Sequence, residues 1–354
     1  MKNLDKYLSL LGEEADGLLL TSRYSRFYGA EYDIAEGVAI VTNKGCRYFT
    51  DCRYIESAQN GIKGFEVVMI DRQNPYSKCL NKAVADFGVE TLGYEENYLT
   101  VAELFHYQDS LHVKLIPMNG KINGFRSVKE PWELELMRKA QQITDKAFSE
   151  VLTKIKAGMT EKEVQAELIY CLYKNGADNL SFDPIVVSGP NTSMPHGVAG
   201  DRVIQEGDFI TMDFGALYKS YCADMTRTVA VGYATEEMKQ VYETVLQAQK
   251  AAIAATKAGV KGQDVDAVAR KIITDAGYGA FFGHGYGHSL GMEVHEAPSC
   301  NPSGETVMQA GVISSAEPGI YLPGKFGVRI EDVVIFTENG CENITHSPKN
   351  LIIL

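Results

Sequence analysis

Two acidic residues, Asp213 and Asp224, flank a predicted hairpin. A short turn near Tyr218-Lys219 would place Asp213 directly opposite Asp224. Side chains opposed in this way have Cβ atoms about 4.5–5.5 Å apart, so two ionised carboxylates would repel each other. A bound divalent cation relieves the repulsion, because hard cations take carboxylate oxygens readily. The alternative is a solvent-exposed hairpin that carries two unrelated acids.

A second predicted hairpin offers a second pair of acids. Its strands, residues 313–321 and 327–335, flank a loop centred on Gly324, and reflection about that glycine places Glu317 opposite Glu331. If the two hairpins pack together, four carboxylates meet in one place. They cannot all stay ionised in a partly buried site without metal.

The histidines add a nitrogen ligand to this set. His196, His284, His288 and His295 are four of the seven histidines of the chain, and all lie in its second part. The glycines of the run 283–288 let the backbone approach a ligand closely. Four carboxylates and one imidazole are typical of a two-metal site, with the ions about 3.5–4 Å apart and bridged by hydroxide. Such ligands suit Mn²⁺, Co²⁺ or Fe²⁺ better than a thiolate-seeking ion.

A repeat in the sequence explains how two such hairpins could arise. Lys156-Ala-Gly-Met159 matches Lys257-Ala-Gly-Val260, and Gly176 matches Gly277 at the same offset. Each match follows a long predicted helix, the first opened by Pro131. Chance agreement among common residues is the alternative. The pattern predicts a duplicated domain in which each half holds two helices followed by strands.

The first 122 residues alternate short apolar runs with helical patterns, which predicts a small α/β domain. Strands are predicted at residues 17–20, 38–41, 47–50, 65–70 and 113–116, with helices at 76–87 and from Thr100, which opens a capping box with Glu103. Residues 119–124 are rich in turn formers and predict a linker. The expected domains are therefore 1–122 and 123–354.

Composition excludes several classes of function. At 354 residues and a net charge of −12, the chain is not suited to nucleic acid or an anionic membrane as its main partner. Its seven cysteines are scattered without a CxxC pair, which fits a reducing cytosol. No signal peptide or membrane span is indicated, so a cytoplasmic protein is expected.

Taken in order, these motifs resemble those of the proline-specific metallopeptidases with the pita-bread fold, aminopeptidase P and prolidase. The motifs are Asp213, Asp224, Gly-His284-Gly-Tyr-Gly-His288, Glu-Val-His295-Glu, Glu317-Pro-Gly-Ile-Tyr321 and Val-Arg329-Ile-Glu331-Asp. The resemblance covers nearly the whole chain. It implies an α/β amino-terminal domain of the creatinase type before a duplicated α+β pita-bread catalytic domain.

The resemblance also implies roles for individual residues. Two divalent ions, expected to be Mn²⁺ with Co²⁺, Fe²⁺ or Zn²⁺ as alternatives, would be held by Asp213, Asp224, His288, Glu317 and Glu331. Glu317 would act as general base, with His196 and His295 also catalytic. His284, Tyr321 and Arg329 would bind the substrate, a small peptide with proline in second position. A homodimer is expected.

Several alternatives stay open. The preferred function is an Xaa-Pro aminopeptidase that uses a two-metal-activated hydroxide, because Ser299 stands where relatives often carry a basic residue for a substrate carboxylate. An Xaa-Pro dipeptidase is the alternative, and a non-catalytic binding module on the same fold is a remote one. His284 and His295 could merely surround the site, and Arg329 could only neutralise its charge. Ser314, Ser315 and Ala316 are smaller than the usual β-branched run and predict a looser metal site.

Overall fold

The structure is a computed structural model that describes residues 3–354, and the chain forms two compact units, residues 1–126 and 127–354. In the described part of the chain, no helix has the length and apolar character needed to cross a membrane.

The first unit is built on a six-stranded sheet with strand order β4-β3-β2-β1-β5-β6. Its strands are β1 (Gly17–Leu20), β2 (Val38–Thr42), β3 (Gly45–Thr50), β4 (Glu66–Met69), β5 (Thr91–Tyr94) and β6 (Lys114–Pro117). Its helices are α1 (Asn3–Leu8), α2 (Arg23–Ala30), α3 (Ile55–Gly61), α4 (Tyr76–Phe87), α5 (Val101–Ser110) and α6 (Asn119–Gly124). All residues of β1 and β2 are buried, as continuous apolar runs predict for central strands.

Two local predictions for this unit have different outcomes. The capping box at Thr100 is present, with the threonine hydroxyl accepting from the backbone N–H of Glu103. The predicted linker at 119–124 is wrong, because these residues form α6 and bury Ile122. Turn-forming residues can start a helix when one apolar side chain packs into the core, and the sequence pattern alone did not reveal that contact.

The second unit contains two similar pairs of helices. They are α7 (Pro131–Leu152) with α8 (Glu161–Lys174), and α9 (Glu236–Ala255) with α10 (Gly262–Asp275). The glycines that end corresponding segments, Gly158 and Gly259, have φ angles of 94° and 87°. The backbone of a residue with a side chain is strained at such a positive φ, which explains why glycine recurs at both positions. The predicted order of two helices followed by strands is observed in each half.

The strands of the second unit form a separate set for each half. The first half has β7 (Asn179–Leu180), β8 (Ile185–Ser188), β9 (Phe209–Phe214), β10 (Ala216–Tyr218), β11 (Tyr221–Cys222) and β12 (Met225–Ala230). The second has β13 (Gly287–Ser289), β14 (Glu296–Cys300), β15 (Ile313–Ala316), β16 (Gly319–Leu322), β17 (Phe326–Arg329), β18 (Asp332–Thr337) and β19 (Gly340–Asn343). Short 3₁₀ helices lie at Gly189–Ser193 and Gly279–Phe281.

The two halves pair their strands in the same manner. The first gives a sheet of order β12-β9-β8, and the second a sheet of order β14-β13-β15-β18-β19. In each half, the two strands of a long hairpin pair first within the main sheet and then, beyond it, in a smaller ladder. This smaller ladder is β10-β11 in the first half and β16-β17 in the second. The predicted acids lie where these hairpins pass from one ladder to the next.

Candidate metal centre

Asp213 and Asp224 belong to one hairpin, but they are not directly opposite each other. The turn falls at Lys219 and Ser220, whose φ angles are 46° and 67°, and the ladder pairs Asp213 with Thr226. The predicted register is therefore wrong by two residues, because neither turn residue is the Gly or Asn that usually signals such a turn. Side chains alternate between faces, so a shift of two residues keeps both acids on one face, and both line the same cavity.

Glu317 and Glu331 face each other as predicted. The last pair of the β15–β18 ladder is Ala316 with Asp332, and the first pair of the β16–β17 ladder is Gly319 with Arg329. Both ladders share one register, so Glu317 and Glu331 are opposed in the gap between them. Gly324, with a φ of 72°, lies in the loop where the reflection was centred.

His288 brings the imidazole between the two pairs of acids. It lies on β13, and its Nε2 is 3.2 Å from Glu317 Oε1 and 3.7 Å from Asp224 Oδ2. One ligand atom each from Asp224, His288 and Glu331 lie within 4.8 Å of one another. The structure thus gathers residues from three segments that are far apart in the sequence.

Burial and mutual repulsion strongly affect the acids of this cluster. Burial raises the pKa of Asp224 well above its ordinary value, and the carboxylates of Glu331 and Asp213 raise it further. The pKa of Glu331 is raised for the same reasons, first by burial and then by Glu317 and Asp213. A bound cation would favour the ionised form of both carboxyl groups.

Glu317 behaves differently from its neighbours. Burial opposes its ionisation, but the hydrogen bond and charge of His288 lower the pKa of Glu317 to about 2. The same contact raises the pKa of His288 although burial acts in the opposite direction. Glu317 is therefore ionised at neutral pH and can bind a cation.

The cluster fits divalent cations by its donor atoms as well as by its charge. Asp213 Oδ1 and Asp224 Oδ1 are buried and have no hydrogen-bond partner. Buried carboxylate oxygens without a partner are costly, and a hard cation would satisfy them. The four carboxylates and the His288 imidazole of the cluster all line one cavity, which matches the ligand chemistry of Mn²⁺ or a similar ion.

Two hydroxyl groups support the predicted ligands, and sequence analysis did not assign them this role. Ser315 donates a 3.0 Å hydrogen bond to Glu317 Oε1 and accepts one from the backbone N–H of His288. Thr226 donates to Glu331 Oε2 over 2.6 Å. The hydroxyl of Ser315 thus ties two proposed ligands together, and the looser metal site expected from the small residues 314–316 stays a prediction.

Arg329 connects the first pair of acids to the rest of the site. Its Nη2 lies 2.6 Å from Asp213 Oδ2, and its Nη1 donates to the Tyr321 hydroxyl over 2.9 Å. Tyr321 OH is in turn 2.9 Å from His284 Nε2. Because Gly285 O can only accept, His284 Nδ1 carries the proton of the neutral ring, and Nε2 accepts from the tyrosine hydroxyl. The Arg329 guanidinium therefore both neutralises Asp213 and orients a chain of polar groups.

The remaining histidines occupy different positions in the cavity. His196 and His295 are exposed side chains of the cavity lining, and the His295 ring lies 4.3 Å from the His288 ring, centroid to centroid. His284 is engaged on both ring nitrogens, by Gly285 O at 2.8 Å and by Tyr321. His196 and His295 can reach a ligand directly, whereas His284 is held by the protein.

The cavity around the cluster has a volume of about 600 Å³. Apolar side chains share its lining with the predicted site residues; these apolar residues are Phe182, Pro184, Ile185, Pro195, Val198 and Val294. A cavity of this size suits a small organic ligand that presents both apolar and polar groups.

Glu161 is a further residue whose role appears only in the structure. Its fully buried carboxylate accepts from the backbone N–H groups of Ser188 and Gly200 and from the Asn191 side chain. It therefore ties together the two ends of the segment that carries His196. The capping box at Thr160 placed Glu161 at the start of a helix, but no sequence signal indicated its partners.

Comparison with known proteins supports the same assignment. Residues 135–338 match Metallopeptidase family M24, and residues 2–128 match the Creatinase/Prolidase N-terminal domain. A solved Xaa-Pro dipeptidase from Bacillus anthracis is 41% identical, with a TM-score of 0.96 over 100% of this chain and 99% of that one. A solved X-Pro aminopeptidase from Thermotoga maritima is 36% identical, with a TM-score of 0.92 over 99% of both chains.

A further relative, an Xaa-Pro dipeptidase of Pyrococcus furiosus, is 40% identical over 264 residues, which are 74% of this chain and 76% of that protein. The predicted pita-bread fold with a creatinase-type amino-terminal domain is confirmed by these comparisons. The chain belongs to metallopeptidase family M24 and is an enzyme, a peptidase.

Proposed function

We propose that this peptidase is an Xaa-Pro dipeptidase, a prolidase that hydrolyses the bond between a residue and a carboxy-terminal proline. The observation that carries the proposal is the cluster of Asp224, His288 and Glu331, with ligand atoms within 4.8 Å, in one cavity with Asp213 and Glu317. The sequence analysis preferred the aminopeptidase and kept the dipeptidase as the alternative. The dipeptidases at 40% and 41% identity favour that alternative.

The proposed reaction explains why a metal centre is needed. An Xaa-Pro bond is a tertiary amide whose nitrogen carries no hydrogen, so peptidases that bind substrate as an added strand lose a donor there. Divalent ions held by the five proposed ligands would polarise the scissile carbonyl and lower the pKa of the attacking water. We propose Mn²⁺, with Co²⁺, Fe²⁺ or Zn²⁺ as alternatives.

The side chains of the cavity have separate proposed roles. Glu317 lines the cavity with its Oε1 3.2 Å from His288 Nε2, and we assign it to accept the proton of the attacking water. His196 and His295 are exposed to the cavity and are proposed to donate to the carbonyl oxygen as it becomes an oxyanion. Arg329 lines the cavity and donates a hydrogen bond to Tyr321. Both residues are proposed to orient the peptide.

A second candidate, an Xaa-Pro aminopeptidase, is favoured by one feature of the cavity. Arg329 is the only lysine or arginine among its described lining residues, and its guanidinium already donates to Asp213, Tyr321 and Thr226. Ser299 lines the cavity, and the family resemblance implies that a basic residue often stands at this position. These residues therefore offer little positive charge to bind the free carboxylate of a carboxy-terminal proline.

One experiment separates the two candidates. Release of the first residue from Ala-Pro and from Ala-Pro-Ala is measured with the Mn²⁺-loaded enzyme and again after chelation. A dipeptidase cleaves Ala-Pro with the higher kcat/KM, and chelator abolishes that activity. Preference for Ala-Pro-Ala supports the aminopeptidase, and cleavage of neither peptide by the metal-loaded enzyme contradicts both.

The assembly and location of the protein remain predictions. We propose a homodimer that acts in the cytoplasm on small proline peptides and on neither nucleic acid nor membranes. Light scattering at assay concentration tests the assembly, and a monomeric, fully active enzyme would contradict the dimer.

A further inference from the structure

His284 lies in a loop whose own sequence does little to fix its conformation. Residues 282–286, here called the His284 loop, contain Gly283 and Gly285 on either side of the histidine. Glycine loses more backbone freedom on folding than any other residue. A side chain between two glycines therefore needs contacts from elsewhere to hold it in one place.

Arg270, on the helix α10, supplies such contacts from outside the loop. Its Nη1 donates to Phe282 O over 2.9 Å, and its Nη2 donates to His284 O over 2.7 Å. The guanidinium also lies over the Phe282 ring, 4.2 Å from its centroid. That ring meets the His284 ring edge to face, with centroids 5.1 Å apart and planes at 89°.

Asp266 fixes the arginine in turn. It lies one turn earlier on α10 and pairs with Arg270 through two hydrogen bonds of 2.7 and 2.9 Å. The Asp266 side chain is 2% exposed, and its Oδ1 also accepts from the backbone N–H of Tyr286 over 2.9 Å. The pair thus holds the first, middle and last residues of the His284 loop. A paired, fork-shaped guanidinium is suited to hold two carbonyls in fixed directions.

We propose that Arg270, together with Asp266, is a positioning residue that sets the His284 ring in the catalytic cavity. The inference rests on the proposed function only for its effect on catalysis. His284 Nε2 meets the Tyr321 hydroxyl, which accepts from Arg329, the partner of Asp213. Through this series of hydrogen bonds, the Arg270–Asp266 pair on α10 determines the geometry of groups that line the substrate cavity.

The kinetic test is a double-mutant cycle with Arg270→Gln, His284→Ala and the double variant, assayed on Ala-Pro. Arg270→Gln is expected to lower kcat/KM about 10- to 100-fold, as loss of a supporting contact does at catalytic sites. In the His284→Ala background, Arg270→Gln is expected to lower kcat/KM less than about twofold, because the effects of substitutions at coupled residues are not additive. Equal losses in both backgrounds would overturn the inference.

Two further variants test whether Arg270→Gln acts merely by disrupting the fold. Arg270→Lys keeps a cation beside Asp266 but lacks the planar fork, so it is expected to fold and to show an intermediate, equally non-additive loss. Lys271→Gln removes another i,i+4 pair of the same helix, with Asp275, which is exposed and does not reach the loop. It is expected to leave kcat/KM within about twofold of the parent value.

A readout without catalysis separates this inference from the proposed function. In the Zn²⁺-loaded protein, the NMR signals of the His284 ring are assigned by their absence in His284→Ala. Arg270→Gln is expected to move these signals, whereas Lys271→Gln leaves them in place. If Arg270→Gln leaves the signals unmoved, the positioning role is refuted, even if the parent enzyme cleaves Ala-Pro. If the signals move but the parent enzyme does not cleave Ala-Pro, only the proposed function is refuted.

Discussion

The hydroxyl of Thr226 donates a 2.6 Å hydrogen bond to Glu331 Oε2 and accepts one of 2.9 Å from Arg329 Nε. The Arg329 guanidinium can only donate and the Glu331 carboxylate accepts, so the threonine's own proton points to Glu331. Thr226 is fully buried, so no water replaces it. It therefore keeps one oxygen of a proposed metal ligand in a fixed position.

Thr226→Val should weaken the binding of Mn²⁺ about 10- to 100-fold, the usual cost of losing a hydrogen bond to a metal ligand. Isothermal calorimetry on the metal-free protein measures the affinity. Thr226→Ser keeps the hydroxyl and should restore most of it. Thr211→Val is the matched control, since its hydroxyl pairs with Thr228 on the same two strands. If Thr226→Val binds Mn²⁺ as tightly as the parent, the hydroxyl does not support the site.

Asp224→Asn should stabilise the metal-free protein and remove its response to metal. The pKa of Asp224 is raised by burial and by the nearby carboxylates, so folding opposes the ionisation that the unfolded chain undergoes, and this weakens the folded state at neutral pH. Removing that charge should raise the melting temperature in chelator by about 2–4 °C for each kcal/mol of relief. Added Mn²⁺ should stabilise the parent far more than the variant.

Thermal unfolding of both proteins, with chelator and with Mn²⁺, provides the measurement. Asp183→Asn, which alters a cavity acid outside the cluster, is the control and should leave the response to metal intact. A lower melting temperature for metal-free Asp224→Asn would contradict the proposed repulsion.

Asp332 should contribute to stability at neutral pH and lose that contribution in acid. Burial alone would raise its pKa, but Arg227 and Lys349 hold the pKa of Asp332 below 3.8, at distances of 2.8 and 2.6 Å. A carboxyl with a lowered folded pKa stabilises above its unfolded pKa, and the contribution disappears as the pH falls through the folded value.

Asp332→Asn should therefore destabilise the protein by about 3–5 kcal/mol at pH 7, since it removes the counter-charge of the buried Arg227. The difference from the parent should shrink below pH 3.8, the ordinary value for this carboxyl. Urea unfolding across the pH range measures both. Asp275→Asn, on the exposed end of α10, should show no such dependence, and a difference that grows in acid would reverse the assigned sign.

Ser299→Arg should shift the substrate preference toward dipeptides. Ser299 lines the cavity and pairs with His288 across β13 and β14, so an arginine there could meet a carboxylate on the substrate. One charge-assisted hydrogen bond is worth about 1.5–3 kcal/mol, which corresponds to a gain of about tenfold or more in the ratio of kcat/KM for Ala-Pro over Ala-Pro-Ala. Ser303→Arg, outside the cavity lining, is the control. An unchanged ratio would place the substrate carboxylate elsewhere.

Hairpin register shows where sequence reasoning succeeds and where it fails. Gly324 indicated the centre of the second hairpin, and the opposition of Glu317 and Glu331 followed by counting. The first hairpin turns at Lys219 and Ser220, residues that rarely adopt positive φ. Its register was therefore wrong, although the alternation of side chains kept Asp213 and Asp224 together.

Short and weakly patterned segments of the first unit were also missed. The strand β5, Thr91–Tyr94, places Gly93 between Leu92 and Tyr94, so it has neither the apolar run of β1 nor a clear alternation. It nevertheless lies between β1 and β6 in the sheet. Its neighbours on both sides supply the hydrogen bonds that its own composition does not predict.

By itself, the sequence determined the kinds of groups that meet at the site, the duplicated plan that brings them together and the family to which the chain belongs. Residue types and their order along the chain carry that information. Only the tertiary structure decided the supports, because Thr226, Ser315, Glu161 and Arg270 each bond to a segment elsewhere in the chain, and such contacts leave no periodic pattern. A hydrogen bond depends on distance and direction in space, and the packing of the whole unit fixes both.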